Sequence, residues 1–226
     1  QSRGIDMPAN LEDLARRHAA TIKAVQKAGS YRICGWSLGG AVAPLVAGLL
    51  EGEGRQVDFV GVVDPYVQNP QQGAMADIAA DLKKFLAILL PKEWHEAAWQ
   101  NTGVRAKFDA CLEGDHDAVR DLVDVVRCLV DAEQLHEYGA LTSDELAEMF
   151  LTARALGLLA KIPCTPSSPL NAPVIVWWSK NSPDHERHQF SSWLSIKILR
   201  NYTIDADHLE IIRDPGVLSG LAEEMR

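Results

Sequence analysis

Residues 31–40 read Tyr-Arg-Ile-Cys-Gly-Trp-Ser-Leu-Gly-Gly and contain the pattern Gly35-x-Ser37-x-Gly39. A strand-like segment precedes the pattern, and the apolar, helix-forming stretch 41–50 follows it. A sharp strand-to-helix turn needs small residues two before and two after the serine, and it exposes the hydroxyl beside a helix N-terminus. The stretch predicts Ser37 as a nucleophile and the backbone N–H of Leu38 as an oxyanion donor. An unreactive, glycine-rich turn is the alternative that a short motif leaves open.

Strand and helix patterns alternate on both sides of this turn. Asn10 is a candidate cap for an amphipathic helix over residues 10–28, and Gly29 follows it. Short, nearly continuous apolar runs are typical of buried parallel strands. Such runs predict strands at 31–34, 57–63 and 173–178, and we expect another strand near 198–204 and a last helix at 215–225.

The middle of the chain carries helical patterns alone. Between residues 73 and 161, the candidate helices lie near 74–90, 92–112, 115–137 and 142–160. A stretch with three prolines, 162–170, has the composition of a hinge. We therefore predict an α/β fold of the α/β-hydrolase type, with a mostly parallel sheet, helices on both faces and an all-helical insertion. The predicted division is 1–72 and 167–226 for the sheet-containing core and 73–166 for the insertion.

A serine nucleophile needs a histidine base, and the base needs an acid to fix its tautomer. His208 follows the last candidate strand, where a loop can return it to the serine. Asp64 directly follows the apolar run 57–63, at the carboxyl end of the strand after the nucleophile helix, where catalytic groups of α/β sheets gather. Asp184, which follows the strand ending near Trp178, is the competing acid. A plain turn or cap role for Asp64 before Pro65 also stays open.

Composition excludes several classes of protein. The chain has 226 residues, of which 47% are hydrophobic and 23% charged, as in a folded globular protein. A formal net charge of -9 argues against nucleic acid or an anionic membrane as the main partner. We find neither a run long enough to span a membrane nor a signal peptide. The thiols lack CxxC pairs, which favours a reduced, cytoplasmic setting; they are Cys34, Cys111, Cys128 and Cys164.

One further histidine pair needs an interpretation. His185 and His188 have an HxxH spacing within a polar segment. Without a third ligand nearby, this spacing is more typical of a solvated surface than of a metal site. We therefore expect no metal site and no bound cofactor.

Three of these motifs together resemble the C-terminal thioesterase domains of nonribosomal peptide synthetases. They are Gly-Trp-Ser-Leu-Gly-Gly at 35–40, Val-Val-Asp-Pro-Tyr at 62–66 and Asp-x-Asp-His at 205–208. The tryptophan before the serine is typical of the peptide-synthetase branch. The acid after the strand that follows the nucleophile helix also fits this family, and it favours Asp64 over Asp184. The resemblance covers most of the chain outside the insertion, which it implies to be a lid over an acyl channel.

The resemblance also implies a reaction and a partner. Ser37, His208 and Asp64 would release a peptidyl or acyl chain from the phosphopantetheine thioester of an upstream carrier protein, by hydrolysis or cyclisation. Domains of this family usually begin with strands and a glycine-rich loop that gives a second oxyanion amide, and nothing before Asn10 resembles that loop, so we expect those strands to be missing here. The alternatives are an esterase or lipase acting on free oxyesters and a noncatalytic domain that docks carrier proteins.

Overall fold

The computed structural model describes residues 7–65, 78–90, 94–113, 117–129, 138–160, 164 and 166–225. The chain divides into two compact units, one of residues 1–72 with 159–226 and one of residues 73–158. The helical unit thus ends at Leu158 rather than at the expected residue 166. The reason is packing, because Ala160 belongs to the apolar core of the first unit.

The first unit contains a sheet of four parallel strands. In chain order and in spatial order they are β1 (Tyr31–Trp36), β2 (Val57–Val63), β3 (Val174–Ser179) and β4 (Ile198–Ile204). The register places Trp36 opposite Val63, and Val63 opposite Trp177. The carboxyl ends of the strands therefore lie side by side, and the residues that follow them meet at one edge of the sheet.

The helices of both units follow the apolar patterns of the sequence. In chain order they are α1 (Leu11–Val25), α2 (Leu38–Gly52), α3 (Ile78–Leu89), α4 (His95–Gln100), α5 (Thr102–Leu112), α6 (Asp117–Leu129), α7 (Ser143–Leu159), α8 (Asp184–Leu194) and α9 (Pro215–Glu224). The side chain of Asn10 caps α1, as its position predicts, by accepting a hydrogen bond from the Asp13 N–H at 2.9 Å.

Helices cover both faces of the sheet. Val176 and Trp178 of β3 lie in an apolar cluster with side chains from α1, α2 and α8. Ile175 and Trp177, which alternate with them along the strand, lie in a second cluster with Val217 of α9. All six residues of β3 are buried, as the apolar run 173–178 predicts for a parallel strand between two helical layers. The predicted α/β-hydrolase-type class is confirmed.

The described residues of the second unit form helices and turns. Their apolar side chains make one cluster, in which Phe85 and Phe150 lie with ring centroids 5.0 Å apart. Helix α6 buries one of its faces, which carries Val119, Leu122, Val123 and Val126. Parts of the predicted segments 74–90, 92–112 and 115–137 lie outside the described residues.

Two helices differ from the expectation. The predicted helix 92–112 is two helices, since the Asn101 side chain accepts hydrogen bonds from the N–H groups of Gly103 and Val104 and so starts α5. Helix α8 was not predicted, because its first two turns are polar and only Phe190 and Leu194 are buried. Across the described residues, no helix is long and apolar enough to cross a membrane.

The Asn101 cap gives a test of the helical unit. Replacing Asn101 by Ala removes the acceptor for two N–H groups, so we expect the free energy of unfolding to fall by about 1 kcal/mol. Asn101→Asp keeps an acceptor oxygen and should stay close to the wild type. Urea unfolding followed by circular dichroism measures both variants, and equal losses in the two would contradict a capping role.

Candidate active site

Ser37 sits at a sharp turn between β1 and α2. Its backbone has φ 54° and ψ −121°, a conformation that residues other than glycine rarely adopt. Its N–H donates to the carbonyl of Val63 on the neighbouring strand at 3.0 Å. Its side chain does not cap α2, so the hydroxyl is available for other contacts. Leu38 is the first residue of α2, where backbone N–H groups have no carbonyl partner inside their own helix.

The glycines around Ser37 are not equally constrained. A Cβ atom on Gly35 would lie 2.0 Å from the Gly39 carbonyl oxygen, and one on Gly40 would lie 3.1 Å from Pro65. A Cβ on Gly39 would meet nothing within 4 Å. The sequence pattern predicted small residues at both 35 and 39, and the structure requires one only at 35. Gly40 contributes the second close approach.

The structure brings Ser37, His208 and Asp64 together. His208 Nε2 lies 3.0 Å from Ser37 Oγ, and His208 Nδ1 lies 2.6 Å from Asp64 Oδ2. An ionised carboxylate only accepts hydrogen bonds, so Nδ1 carries the proton and Nε2 is free to accept from the serine hydroxyl. This is the order in which a base is oriented by an acid and activates a hydroxyl.

Asp64 is a buried carboxylate with several donors. Its side chain is 7% exposed. Its Oδ1 accepts from Ser182 Oγ at 2.5 Å and from the Ser179 N–H at 2.9 Å. Burial by itself raises the pKa of Asp64, but the hydrogen bonds from His208, Ser182 and Ser179 outweigh it, and the pKa lies below its ordinary value. The site therefore favours the ionised acid.

Trp36 contacts the same histidine from β1. Its ring stacks on the imidazole of His208, with centroids 5.2 Å apart and planes at 28°. Its indole N–H donates to the His208 carbonyl at 3.1 Å. Because His208 is 45% exposed, these contacts matter for its position. In the sequence, Trp36 is only typical of the family, and no pattern predicts its contact with His208 or the donors Ser179 and Ser182.

The other candidates lie elsewhere. The Asp184 side chain is 94% exposed and pairs with Arg187 at 3.9 Å, so the competing acid does not reach His208. His185 and His188 are both exposed on α8. Among the described residues, no group of three or more histidine, cysteine or acidic side chains could hold a metal ion.

A family model described as a thioesterase domain matches residues 1–218. The chain belongs to the thioesterase domain family. Enterobactin synthase component F of Escherichia coli K12 is 32% identical over 120 residues, which cover 50% of this chain and 9% of that protein. A dimodular nonribosomal peptide synthase of Bacillus subtilis 168 is 37% identical over 70 residues, which cover 29% of this chain and 3% of the relative.

Solved structures agree with this placement at the level of fold. A four-domain nonribosomal peptide synthetase bound to AMP and glycine matches 98% of this chain with a TM-score of 0.66 at 18% identity, over 16% of its own length. The Vlm2 thioesterase domain matches 99% of this chain and 76% of its own, with a TM-score of 0.57 at 19% identity. The resemblance to thioesterase domains of peptide synthetases is confirmed, while the chain spans only a small part of the curated relatives.

The unequal glycines of the thioesterase domain give a paired test. Gly35→Ala places a methyl group against the backbone of Gly39. We therefore expect the free energy of unfolding to fall by about 3 kcal/mol or more. We also expect a roughly 100-fold slower reaction of Ser37 with a fluorophosphonate probe, the usual effect of moving a catalytic atom by about 1 Å. Gly39→Ala should keep the wild-type stability or gain up to about 1 kcal/mol, because alanine favours helices. Similar losses in both variants would contradict the assigned crowding.

The lowered pKa of Asp64 predicts a pH dependence of stability. Unfolded aspartate has a pKa of about 3.9, so the native carboxylate stabilises the fold fully above that pH and loses this effect as pH falls through its lower native pKa. The stability advantage of wild type over Asp64→Asn should shrink as pH falls below about 4. Urea unfolding between pH 7 and 3 measures it. Asp184→Asn, an exposed change, should follow the wild-type curve; parallel curves for Asp64→Asn would contradict the prediction.

Proposed function

We propose that the chain is a serine thioesterase that releases a peptidyl or acyl chain from a phosphopantetheine thioester. The observation that supports this most is the pair of hydrogen bonds, 3.0 and 2.6 Å long, that links Ser37 through His208 to Asp64. Because the chain belongs to the thioesterase domain family, we infer that the substrate of this serine is a thioester.

In the first half of the reaction, Ser37 Oγ attacks the thioester carbonyl carbon while His208 Nε2 takes its proton. Asp64 holds the imidazole with Nδ1–H toward its own carboxylate and stabilises the charge that the ring gains. The carbonyl oxygen becomes an oxyanion, to which the Leu38 N–H at the start of α2 donates. When the intermediate collapses, the carbon–sulfur bond breaks, His208 returns the proton to the thiolate, and the acyl group stays on Ser37.

In the second half, a nucleophile attacks the ester on Ser37. Water gives a free acid, whereas an amine or hydroxyl of the bound chain gives a ring. In both cases His208 removes the proton of the nucleophile and gives it to Ser37 Oγ as the acyl–serine bond breaks. The same three side chains thus serve both steps, and the chemistry needs neither a metal nor a resident cofactor.

The partner follows from the substrate. A phosphopantetheine arm is presented by a carrier protein, and one matched relative is a dimodular nonribosomal peptide synthase. We therefore propose an upstream peptidyl carrier protein as the partner and its peptide thioester as the substrate.

The acyl-enzyme is the direct test. The chain is incubated with an acyl-pantetheine thioester, and intact-mass and peptide-mapping spectrometry follow the acyl group. We expect one acyl group on Ser37 and none in Ser37→Ala, which removes only the nucleophilic oxygen. Acylation that persists in Ser37→Ala would overturn the assignment.

The same acyl group supplied as a simple oxyester separates the alternatives. We expect faster turnover of the thioester. A clear preference for the oxyester would indicate an esterase, and a protein that neither turns over substrate nor reacts with a fluorophosphonate would be a docking domain.

A further inference from the structure

The two oxygens of Asp64 have different partners. Oδ2 faces His208 Nδ1 at 2.6 Å. Oδ1 accepts from Ser182 Oγ at 2.5 Å and from the Ser179 N–H at 2.9 Å. A carboxylate with both oxygens engaged cannot rotate without losing hydrogen bonds, and in a buried setting such losses are costly. The residues that hold Oδ1 therefore determine where Oδ2 points.

Both Oδ1 donors belong to one turn at the end of β3, residues 179–182. The turn is closed by the Ser182 N–H, which donates to the Ser179 carbonyl at 3.1 Å. The two serine hydroxyls lie 3.0 Å apart. A hydroxyl has one proton, and Asp64 can only accept, so Ser182 donates to Asp64 and Ser179 Oγ donates to Ser182. The Ser182 hydroxyl therefore donates to the carboxylate directly, and the Ser179 hydroxyl supports it by donating to Ser182.

Arg187, on α8, holds this turn from the other side. Its Nε donates to the Ser182 carbonyl at 3.2 Å and its Nη2 to the Ser179 carbonyl at 3.5 Å, so one planar group spans the two ends of the turn. Its Nη1 donates to Thr203 Oγ1 on β4 at 2.7 Å. The guanidinium carbon also lies 5.7 Å from the ring centroid of Trp178.

The burial of Arg187 indicates where its interactions count. Its side chain is only 19% exposed, whereas its acidic partner Asp184 is 94% exposed and 3.9 Å away. An ion pair with such an exposed group contributes little. The hydrogen bonds to the turn and to Thr203 are therefore the main polar interactions of this cation, and the two that end on backbone carbonyls hold the turn that supports Asp64.

We propose that Ser182 and Arg187 are positioning residues that act through Asp64: Arg187 fixes the turn 179–182, and the turn holds the carboxylate with Oδ2 toward His208. This inference rests on the proposed function, in which Asp64 orients His208. Neither residue touches the reacting atoms, so both act on rate only while the carboxylate is present.

That dependence on Asp64 gives a double-mutant test. The rate of fluorophosphonate labelling of Ser37 is measured for Ser182→Ala and Arg187→Gln, each alone and combined with Asp64→Asn at a higher probe concentration. Alone, Ser182→Ala should slow labelling roughly 10-fold to 100-fold, the range for a hydrogen bond to a charged group, and Arg187→Gln should slow it at least several-fold. In the Asp64→Asn background, each should change the rate less than about two-fold, because residues that act as a unit are not additive.

Control variants separate positioning from general destabilisation. Ser191→Ala removes a hydroxyl on α8 that donates to the His188 carbonyl at 3.1 Å, away from Asp64, and this variant should label at the wild-type rate. Arg187→Lys keeps the charge but cannot span both carbonyls, so it should resemble Arg187→Gln. Equal losses with and without Asp64, or full activity in Arg187→Lys, would overturn the proposal. If Arg187→Gln does not fold, Ser182→Ala alone decides, because it removes one small side-chain atom.

A second measurement does not depend on any activity. The proton between His208 Nδ1 and Asp64 Oδ2 should give a far-downfield proton NMR signal, assigned by its loss in His208→Gln. We expect the signal to shift or disappear in Ser182→Ala and to remain in Ser191→Ala. An unchanged signal in Ser182→Ala would overturn the positioning role, even if the chain proved to be no thioesterase. Failure of the proposed function alone would leave the signal sensitive to Ser182.

Discussion

The site depends on the backbone of Ser37 being held in a conformation that costs energy. Among the described residues, the non-glycine residues with positive φ are Ser37, Asp64 and Ser195. Ser195 ends a helix, where the left-handed conformation is common. The other two are the proposed nucleophile and the proposed acid, and each such backbone conformation costs about 1–3 kcal/mol, which the surrounding structure must offset. Hydrogen bonds to the sheet hold both residues in these conformations. The N–H of Ser37 donates to the Val63 carbonyl, and the N–H of Asp64, the residue after Val63, donates to the Trp177 carbonyl at 2.7 Å.

These two hydrogen bonds link three strand ends in sequence. The residue after β1 is fixed against β2, and the residue after β2 is fixed against β3. A shift in the register of any one strand would therefore move the serine and the carboxylate relative to each other. Parallel pairing, which buries both faces under helices, makes such a shift expensive, because it would move every apolar side chain of the strand. The precision of the site is thus a consequence of the packing of the sheet.

The histidine is held differently. His208 is 45% exposed, whereas Asp64 is 7% exposed. Its loop is fixed by local contacts, in which Asp207 Oδ1 accepts the N–H groups of Leu209 and Glu210 at 2.9 Å each. Trp36 adds a stacked ring and a hydrogen bond to the His208 carbonyl. The acid side of the site is therefore rigid through burial, while the base side depends on a few surface contacts.

Local patterns allowed the sequence to predict much of this arrangement, and long-range contacts account for what it missed. The elbow is encoded within residues 31–40, and the strand ends that bring Asp64 and His208 to it follow from apolar runs and the geometry of parallel sheets. The turn 179–182 and Arg187 carry no such pattern, since their contacts join β3, α8 and β4 through two backbone carbonyls and the Thr203 hydroxyl. Helix α8 itself was missed because it buries few apolar residues. The space around Gly39 was not foreseen either, because it depends on the three-dimensional path of the turn rather than on the residue types in it.

Asp64 and Asp184 are both candidate acids, and their surroundings show which groups each strand end contributes to the site. Both acids follow a strand at the same edge of the sheet, so the topology alone permits either. The end of β3 supplies hydrogen-bond donors, Ser179 and Ser182, that point at a carboxylate arriving from β2. If the acid came from the end of β3 instead, its carboxylate would have to occupy the position where Ser179 and Ser182 now donate. The proposed nucleophile thus comes from the end of β1, the proposed acid from the end of β2, the donors to that acid from the end of β3, and the histidine from the loop after β4.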